Sequence, residues 1–215
     1  MTSDRSGSVD QPPRLAPNGG KLPRFDPGPS LARAVAVLAN DVPFALIGGV
    51  ALWAYVPASE QRFTKDVDVA YPSRMRARVE AALRAAGHEP LPLEIGGFGV
   101  REEPYRIDFI DRGSDFGTLF ERAVQEAQAA QRWLDVEDEH ILLVAPEYLV
   151  AMKLLTGERD DEQDVERLLR ASSPPVNLVA ARALCAELLG PAVANRLDVI
   201  ARAIGHPAAR KRYKS

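Results

Sequence analysis

The chain is poor in the side chains that build most metal and redox centres, with one cysteine and three histidines in 215 residues. A single thiol, Cys185, closes no internal disulfide, and no CxxC pair is present to hold zinc. It falls in the apolar stretch Val179–Leu189, where it reads as a small core residue. His88, His140 and His206 are scattered and form no HxH or HxxxH pair, which removes the usual imidazole metal sites. Excess basic charge is missing too. With 27 Lys and Arg against 30 Asp and Glu, the net charge is −3. Coating DNA would require a clear cationic surplus, because phosphates must be neutralised. Met1–Gln11 is polar and carries no apolar segment of the kind found in secretory leaders. Long apolar runs are also lacking: Val42–Ser59 has no charged side chain, but Pro43, Gly48, Gly49 and Pro57 interrupt it. It falls short of the roughly 20 residues that a membrane-spanning helix needs. These absences lead us to expect a cytoplasmic protein with no membrane segment.

What is present is an ordinary globular balance, 46% hydrophobic and 27% charged. Residues 1–29 are rich in Pro, Gly and Ser and bury too little apolar surface to offset their ordering entropy, which predicts a disordered tail. A helix is expected from Ser30, carrying Leu31, Val35 and Leu38. Residues 30–145 then mix periods. Phe44–Ile47 is a short apolar run ending at a glycine pair, and helical spacing follows over Val50–Val56. Thr64–Ala70 alternates as a half-buried strand does, and Arg74–Ala86 reads as a helix closed by Gly87. Leu91–Ile95 and Phe98–Glu102 flank Gly96-Gly97 as a hairpin, and Tyr105–Ile110 is a further strand. Phe116, Leu119, Phe120 and Val124 make a helical stripe, and Ile141–Val144 is a last strand. Residues 146–207 are helical throughout, with expected helices over Tyr148–Leu155, Asp161–Leu169, Val176–Leu189 and Pro191–Ile204. Residues 208–215 form a short basic tail, a frayed terminus or an RNA contact. The expected class is α+β, a mixed sheet flanked by helices, followed by a C-terminal helical region.

The chemistry concentrates in two segments. Residues two apart on a strand point to the same face, so Asp66 and Asp68 project together while Val67 and Val69 face the core. Two adjacent carboxylates repel each other unless a cation lies between them, and Mg²⁺ prefers such hard oxygen ligands. Gly48 and Gly49 stand at a strand-to-helix turn, where backbone amides approach an anion closely and a helix N-terminus favours negative charge. A carboxylate pair for metal beside an amide turn for phosphates makes a Mg²⁺–nucleotide site. Asp108, between the apolar Ile107 and Phe109, offers a third carboxylate. Three such groups can hold two metal ions, one at the attacking hydroxyl and one at the leaving pyrophosphate, and Asp108 is the candidate base. Asp111 falls on the opposite face and is the weaker choice. Gly96-Gly-Phe-Gly99 resembles a phosphate loop only superficially; no GK[ST] follows, and a hairpin turn is the better reading.

The glycine pair, the Asp66-Val-Asp68 strand and the later Asp108 resemble the DNA polymerase β-like nucleotidyltransferase superfamily. Within it, the chain looks most like the AbiEii-type toxin nucleotidyltransferases and their minimal relatives. Those share a Gly-Gly-x-Ala-Leu turn and an Arg-x-Thr-x-Asp-h-Asp segment, here Arg62-Phe-Thr-Lys-Asp66-Val-Asp68. They also carry a helical Lys followed by Lys-Asp-x-x-Asp, matched by Lys153 and by Asp161-Glu-Gln-Asp164, with Asp160 in place of the basic residue. The likeness spans roughly residues 40–170. Pro57-Ala-Ser-Glu-Gln61 lengthens the linker between the glycines and Asp66 relative to the family pattern.

The resemblance implies transfer of a nucleoside monophosphate from an NTP to a hydroxyl acceptor with Mg²⁺, two ions being possible. Lys153 would contact the triphosphate, and Asp161 and Asp164 would build that side of the site or simply favour a helix N-terminus. Arg62 would either touch phosphate or neutralise Asp68. An AbiEii-type toxin would use an RNA acceptor such as tRNA and be held in check by an antitoxin protein. An antibiotic-modifying relative would use a small hydroxylated molecule, and a non-catalytic relative would bind a nucleotide or a partner without turnover.

Overall fold

Ala45, Leu46 and Ile47 are buried, and this short apolar run is the edge from which the main sheet is built. A computed structural model describes Leu38 and residues 42–64, 66–102, 105–136 and 139–211. The expected tail over 1–29, the helix from Ser30 apart from Leu38, and the end of the basic tail lie outside the described residues.

The run forms β1 (Ala45–Ile47) and passes into α1 (Gly48–Tyr55), buried from Gly49 onward. A turn of 3₁₀ helix at Ala58–Glu60 leads to β2 (Asp66–Ala70), and a second at Ser73–Met75 leads to α2 (Arg76–Ala85). The hairpin β3 (Leu91–Pro92) and β4 (Gly97–Glu102) precedes β5 (Tyr105–Ile110) and the long α3 (Gly113–Ala129). The strand order is β1-β2-β5-β4-β3. All neighbours are antiparallel except β2 and β5, which run parallel. A parallel pair needs a long crossover, supplied here by α2 and the β3–β4 hairpin. The expected α+β mixed sheet is therefore present.

Alternation along β2 and β5 does what the period predicts. Val67, Val69, Ile107 and Phe109 are buried, each contributing on the order of 1.5–3 kcal/mol, while Asp66, Asp68 and Asp108 take the other face. Helices α1 and α3 pack on β2; α3 brings Leu119, Phe120, Ala123, Val124 and Ala127 as one stripe.

A two-stranded ribbon, β6 (Trp133–Val136) and β7 (Glu139–Leu142), follows α3. Only its second strand is legible in sequence, over Ile141–Val144; β6 is four residues whose strand character comes from its partner. The chain leaving β7 lies along β1, with a parallel bridge between Leu46 and Leu143 and the Val144 amide donating to the Leu46 carbonyl at 3.3 Å.

Five helices follow among the described residues, the last a short one: α4 (Pro146–Thr156), α5 (Arg159–Ala171), α6 (Leu178–Leu188), α7 (Pro191–Ala203) and α8 (Pro207–Lys211). Pro146 and Pro191 sit in first turns, where no intrahelical donor is lost. The Asn177 side chain caps α6 by accepting from the Ala180 amide at 3.1 Å. The buried apolar residues of sheet and helices form one continuous cluster. Among the described residues, no helix is long and apolar enough to cross a membrane.

Asp111, expected on the face away from the other carboxylates, is fully buried and structural. It accepts from Arg76 Nε at 2.7 Å and Nη2 at 2.5 Å, from the Tyr71 hydroxyl at 3.0 Å and from the Gly113 amide at 2.9 Å. Burial alone would raise its carboxyl, but these donors outweigh it and hold the group below the usual range. Its contribution is therefore complete above the ordinary Asp value of about 3.9 and fades as pH falls through the lower folded value. Because Arg76 is half exposed, we expect Asp111→Ala to cost about 2–4 kcal/mol by chemical denaturation at pH 7, and less at pH 3. An unchanged unfolding midpoint at pH 7 would contradict this account.

Candidate active site

The register of two parallel strands assembles the acidic edge. Asp68 on β2 lies opposite Asp108 on β5, and Asp66 lies opposite Arg106. On the other side of β2, Asp68 pairs with Ile47, the residue before the glycine turn. Gly48 has φ +71°, and a Cβ there would sit 1.9 Å from Asp68 Oδ2. The turn therefore requires glycine twice over: for its left-handed backbone and to admit the carboxylate. Gly49 faces Thr64, where a Cβ would meet the Thr64 Cβ at 3.1 Å. Gly48, Gly49, Asp68 and Asp108 are thus brought to one place, with Asp66 on the same strand face.

Two carboxyls of this edge are raised above the ordinary Asp range. Burial, then the neighbouring Asp108, push the Asp68 carboxyl up to about 7, with Asp66 adding to the rise and Lys153 and Arg106 opposing it. Burial also raises Asp108, partly offset by Arg106. Hard oxygen donors that repel one another suit Mg²⁺, and the cradle kept open by Gly48 holds one of them in place. Among the described residues, no three His, Cys, Asp or Glu side chains stand together as a group that could hold a metal ion; Asp68 and Asp108 are in register as a pair, and Asp66 shares their face without completing a cluster.

A second cluster behaves oppositely. Asp164 on α5 is fully buried and accepts from Arg62 Nε at 3.0 Å and Nη2 at 2.9 Å, and from Arg167 Nη1 at 2.7 Å. Lys153 Nζ lies 3.0 Å from Asp164 Oδ2 and 2.6 Å from Asp161 Oδ1, and the Thr156 hydroxyl also donates to Asp161. Burial would raise the Asp164 carboxyl, but the Arg62 hydrogen bonds and the Lys153 charge hold it below the usual range. The two clusters meet through Lys153, whose charge also acts on Asp68.

Arg62 is therefore bound to Asp164 through Nε and Nη2. Asp161 and Asp164 hold Lys153 rather than merely favouring a helix end. Arg106, Arg167 and Thr156 were not singled out from the sequence. Arg106 could have been, since period two places it on the face of Asp108. Arg112, with φ 56°, has a buried Nε that lacks a hydrogen-bond partner, and burial lowers its guanidinium while Asp161 attracts it. The expected Gly96-Gly97 turn is shifted by one residue: Gly96 lies in the hairpin loop and Gly97 opens β4 opposite Ile110, where a Cβ would lie 1.9 Å from the Phe109 carbonyl oxygen. Cys185 is buried, and burial pushes its thiol up to about 11, which suits a core residue.

No protein-family model matches the chain, and no curated protein matches it. Among solved structures it is similar to the solution structure of the antibiotic-resistance factor ANT(2'')-Ia. That match has TM-score 0.45 and 14% identity and covers 87% of this chain and 97% of that one. A nucleotidyltransferase-like protein from Paracoccidioides brasiliensis gives TM-score 0.39 and 13% identity, covering 82% and 89% respectively. JHP933 from Helicobacter pylori gives 0.40 and 17%, covering 86% and 93%.

The two clusters make opposite predictions. The folded value of Asp68 lies above its unfolded value of about 3.9, so ionisation weakens the fold as pH rises from about 3.9 through 7. Without divalent ions, Asp68→Asn should melt higher than the parent at pH 8 and show no gain at pH 3; a lower melting temperature at pH 8 would refute this. Asp164→Ala removes the buried anion that Arg62, Lys153 and Arg167 share, leaving Lys153 only Asp161, and should cost about 2–4 kcal/mol by denaturant titration, with a loss under about 1 kcal/mol counting against it.

Proposed function

We propose that the protein is a Mg²⁺-dependent nucleotidyltransferase that moves a nucleoside monophosphate from an NTP to a hydroxyl acceptor and releases pyrophosphate. The observation that carries this reading is Asp68, seated beneath the Gly48 turn and in register with Asp108. Asp66 and Asp68 would hold the metal, with Asp108 completing the set. When bound, Mg²⁺ would supply positive charge to the triphosphate and favour ionisation of the acceptor hydroxyl.

The remaining work belongs to the chain. The Gly48-Gly49 turn opens α1, so its amides and the helix N-terminus favour the phosphates. Lys153 is held by Asp161 and Asp164 in a fixed position, where its ammonium offsets charge that builds on the phosphates during transfer. Asp108, raised by burial, is the group to accept the proton of the acceptor hydroxyl. Arg62 serves by orienting Asp164.

The AbiEii-like motif pattern favours an RNA acceptor such as tRNA, in a toxin restrained by an antitoxin; the antibiotic-type alternative is a small hydroxylated molecule. A second reading, a non-catalytic nucleotide- or partner-binding protein, is favoured by one observation: Arg106 already engages Asp108 at 2.6 Å. Incubation with each α-labelled NTP, Mg²⁺ and either total RNA or aminoglycosides separates the cases. We expect label on an acceptor with the parent protein. The Asp66→Asn/Asp68→Asn variant should lose at least about a hundredfold in rate, some 2.7 kcal/mol of transition-state stabilisation, while remaining folded. Full activity in that variant would overturn the mechanism, and NTP binding without turnover would select the second reading.

A further inference from the structure

Among the described residues, the one buried side-chain polar atom without a hydrogen-bond partner is Nε of Arg112. The residue that carries it is held in place. Its backbone is left-handed, with φ 56°, a conformation that few residues other than glycine adopt. On one side, Asp111 Oδ1 accepts from the Gly113 amide at 2.9 Å and so brackets Arg112, while Asp111 is itself fixed by Tyr71 and Arg76. On the other, a Cβ on Gly96 would lie 3.1 Å from the Arg112 carbonyl carbon, so the β3–β4 loop packs against this backbone. The guanidinium thus starts from a fixed point. Its Nε is shut off from solvent, and the residue as a whole is partly exposed, which leaves a ligand a way in.

The chain supplies no anion for it. The carboxylate that acts on Arg112 is Asp161, but its Oδ1 lies 2.6 Å from Lys153 Nζ and its Oδ2 accepts from the Thr156 hydroxyl. Both oxygens are already engaged. A guanidinium keeps its charge at any accessible pH, and leaving a buried charged donor unpaired is costly. Native structures retain such groups where a water, ion or ligand completes them. The fork of Nε and Nη donors matches two oxygens of one phosphate or carboxylate.

We propose that Arg112 is an anion-binding residue, a preset fork that takes two oxygens of a substrate phosphate group on the side of the Lys153–Asp161 pair. That the phosphate belongs to a substrate rests on the nucleotidyl-transfer reading above; the anion site itself rests on the orphaned donor and its clamped backbone. Two sources carry this chemistry, the terminal phosphates of the nucleotide and a phosphodiester of an RNA acceptor. In either case Asp111 acts at one remove, by fixing the residue that follows it.

The test compares Arg112→Met with the parent by isothermal titration calorimetry of the full chain in Mg²⁺. The probes are inorganic pyrophosphate, the four NTPs, the matching monophosphates and a short single-stranded RNA. The parent should bind at least one of them, and Arg112→Met should weaken that binding at least about tenfold, as loss of a charge-assisted hydrogen bond does. Weakening of pyrophosphate and NTP, with monophosphates and RNA spared, assigns the fork to the nucleotide; weakening of RNA alone assigns it to the acceptor. Arg78→Met removes the same charge from an exposed position on α2 and should change every affinity by less than about twofold, because exposed charges are screened. Without probes, Arg112→Met should unfold at the parent's midpoint or above it, since it removes an unpaired buried charge and keeps the Cβ. A lower midpoint would make the guanidinium a support of the fold and overturn the proposal. Equal weakening in Arg78→Met would overturn it as well. Unchanged affinities in Arg112→Met would overturn it while sparing the nucleotidyl-transfer reading. A parent that binds none of the probes would also overturn it, and the labelled-NTP assay then decides the fate of that reading separately.

Discussion

The buried carboxylate of Asp164 is the junction on which the rest of the site depends. It accepts from Arg62, which precedes β2, from Lys153 on α4 and from Arg167 on its own helix. Three cations around one fully buried anion leave little slack, because any partner that moves away strands charge in a poorly solvated interior. The loop before β2 is held a second way: Trp53 Nε1 donates to the Arg62 carbonyl at 2.9 Å, and Gln61 Nε2 donates to the Trp53 carbonyl at 3.2 Å. Between them, the indole and the carboxylate fix where Asp66 begins its strand. The helical region does more than cover the sheet; it anchors Arg62 just before β2 and carries Lys153, whose charge acts on Asp68.

Two groups of carboxylates a few residues apart in chemistry thus have opposite characters. Asp161 and Asp164 are compensated by Lys153, Arg62 and Arg167. Asp66, Asp68 and Asp108 have Arg106 and a share of Lys153. Asp164 is held below the usual carboxylate range by its cations, whereas burial raises Asp68 and Asp108.

Much of this was legible in the sequence because it is local. Period two assigns Asp66, Asp68 and Asp108 to one face, and a glycine pair between an apolar run and an apolar helix marks the turn. The helices after Pro146 follow from their apolar spacing and their Pro and Gly boundaries. What was not legible depends on distant partners. Arg62 finds Asp164 across 102 positions, and nothing near Arg62 in the chain announces it. Ribbon strand β6 exists because β7 pairs with it. The lengthened linker after α1 runs through the exposed 3₁₀ turn Ala58–Glu60, so the added residues go outward.

The bridge between Leu46 and Leu143 has a consequence for how this molecule meets copies of itself. It covers the outer side of β1, one of the two places where the sheet could continue. The other end is β3, two residues long, and Pro92 removes one of its outward donors. Neither border offers a run of unpaired amides and carbonyls long enough for a foreign strand to zip onto. The five-stranded sheet is thereby guarded against templated stacking by its own outline.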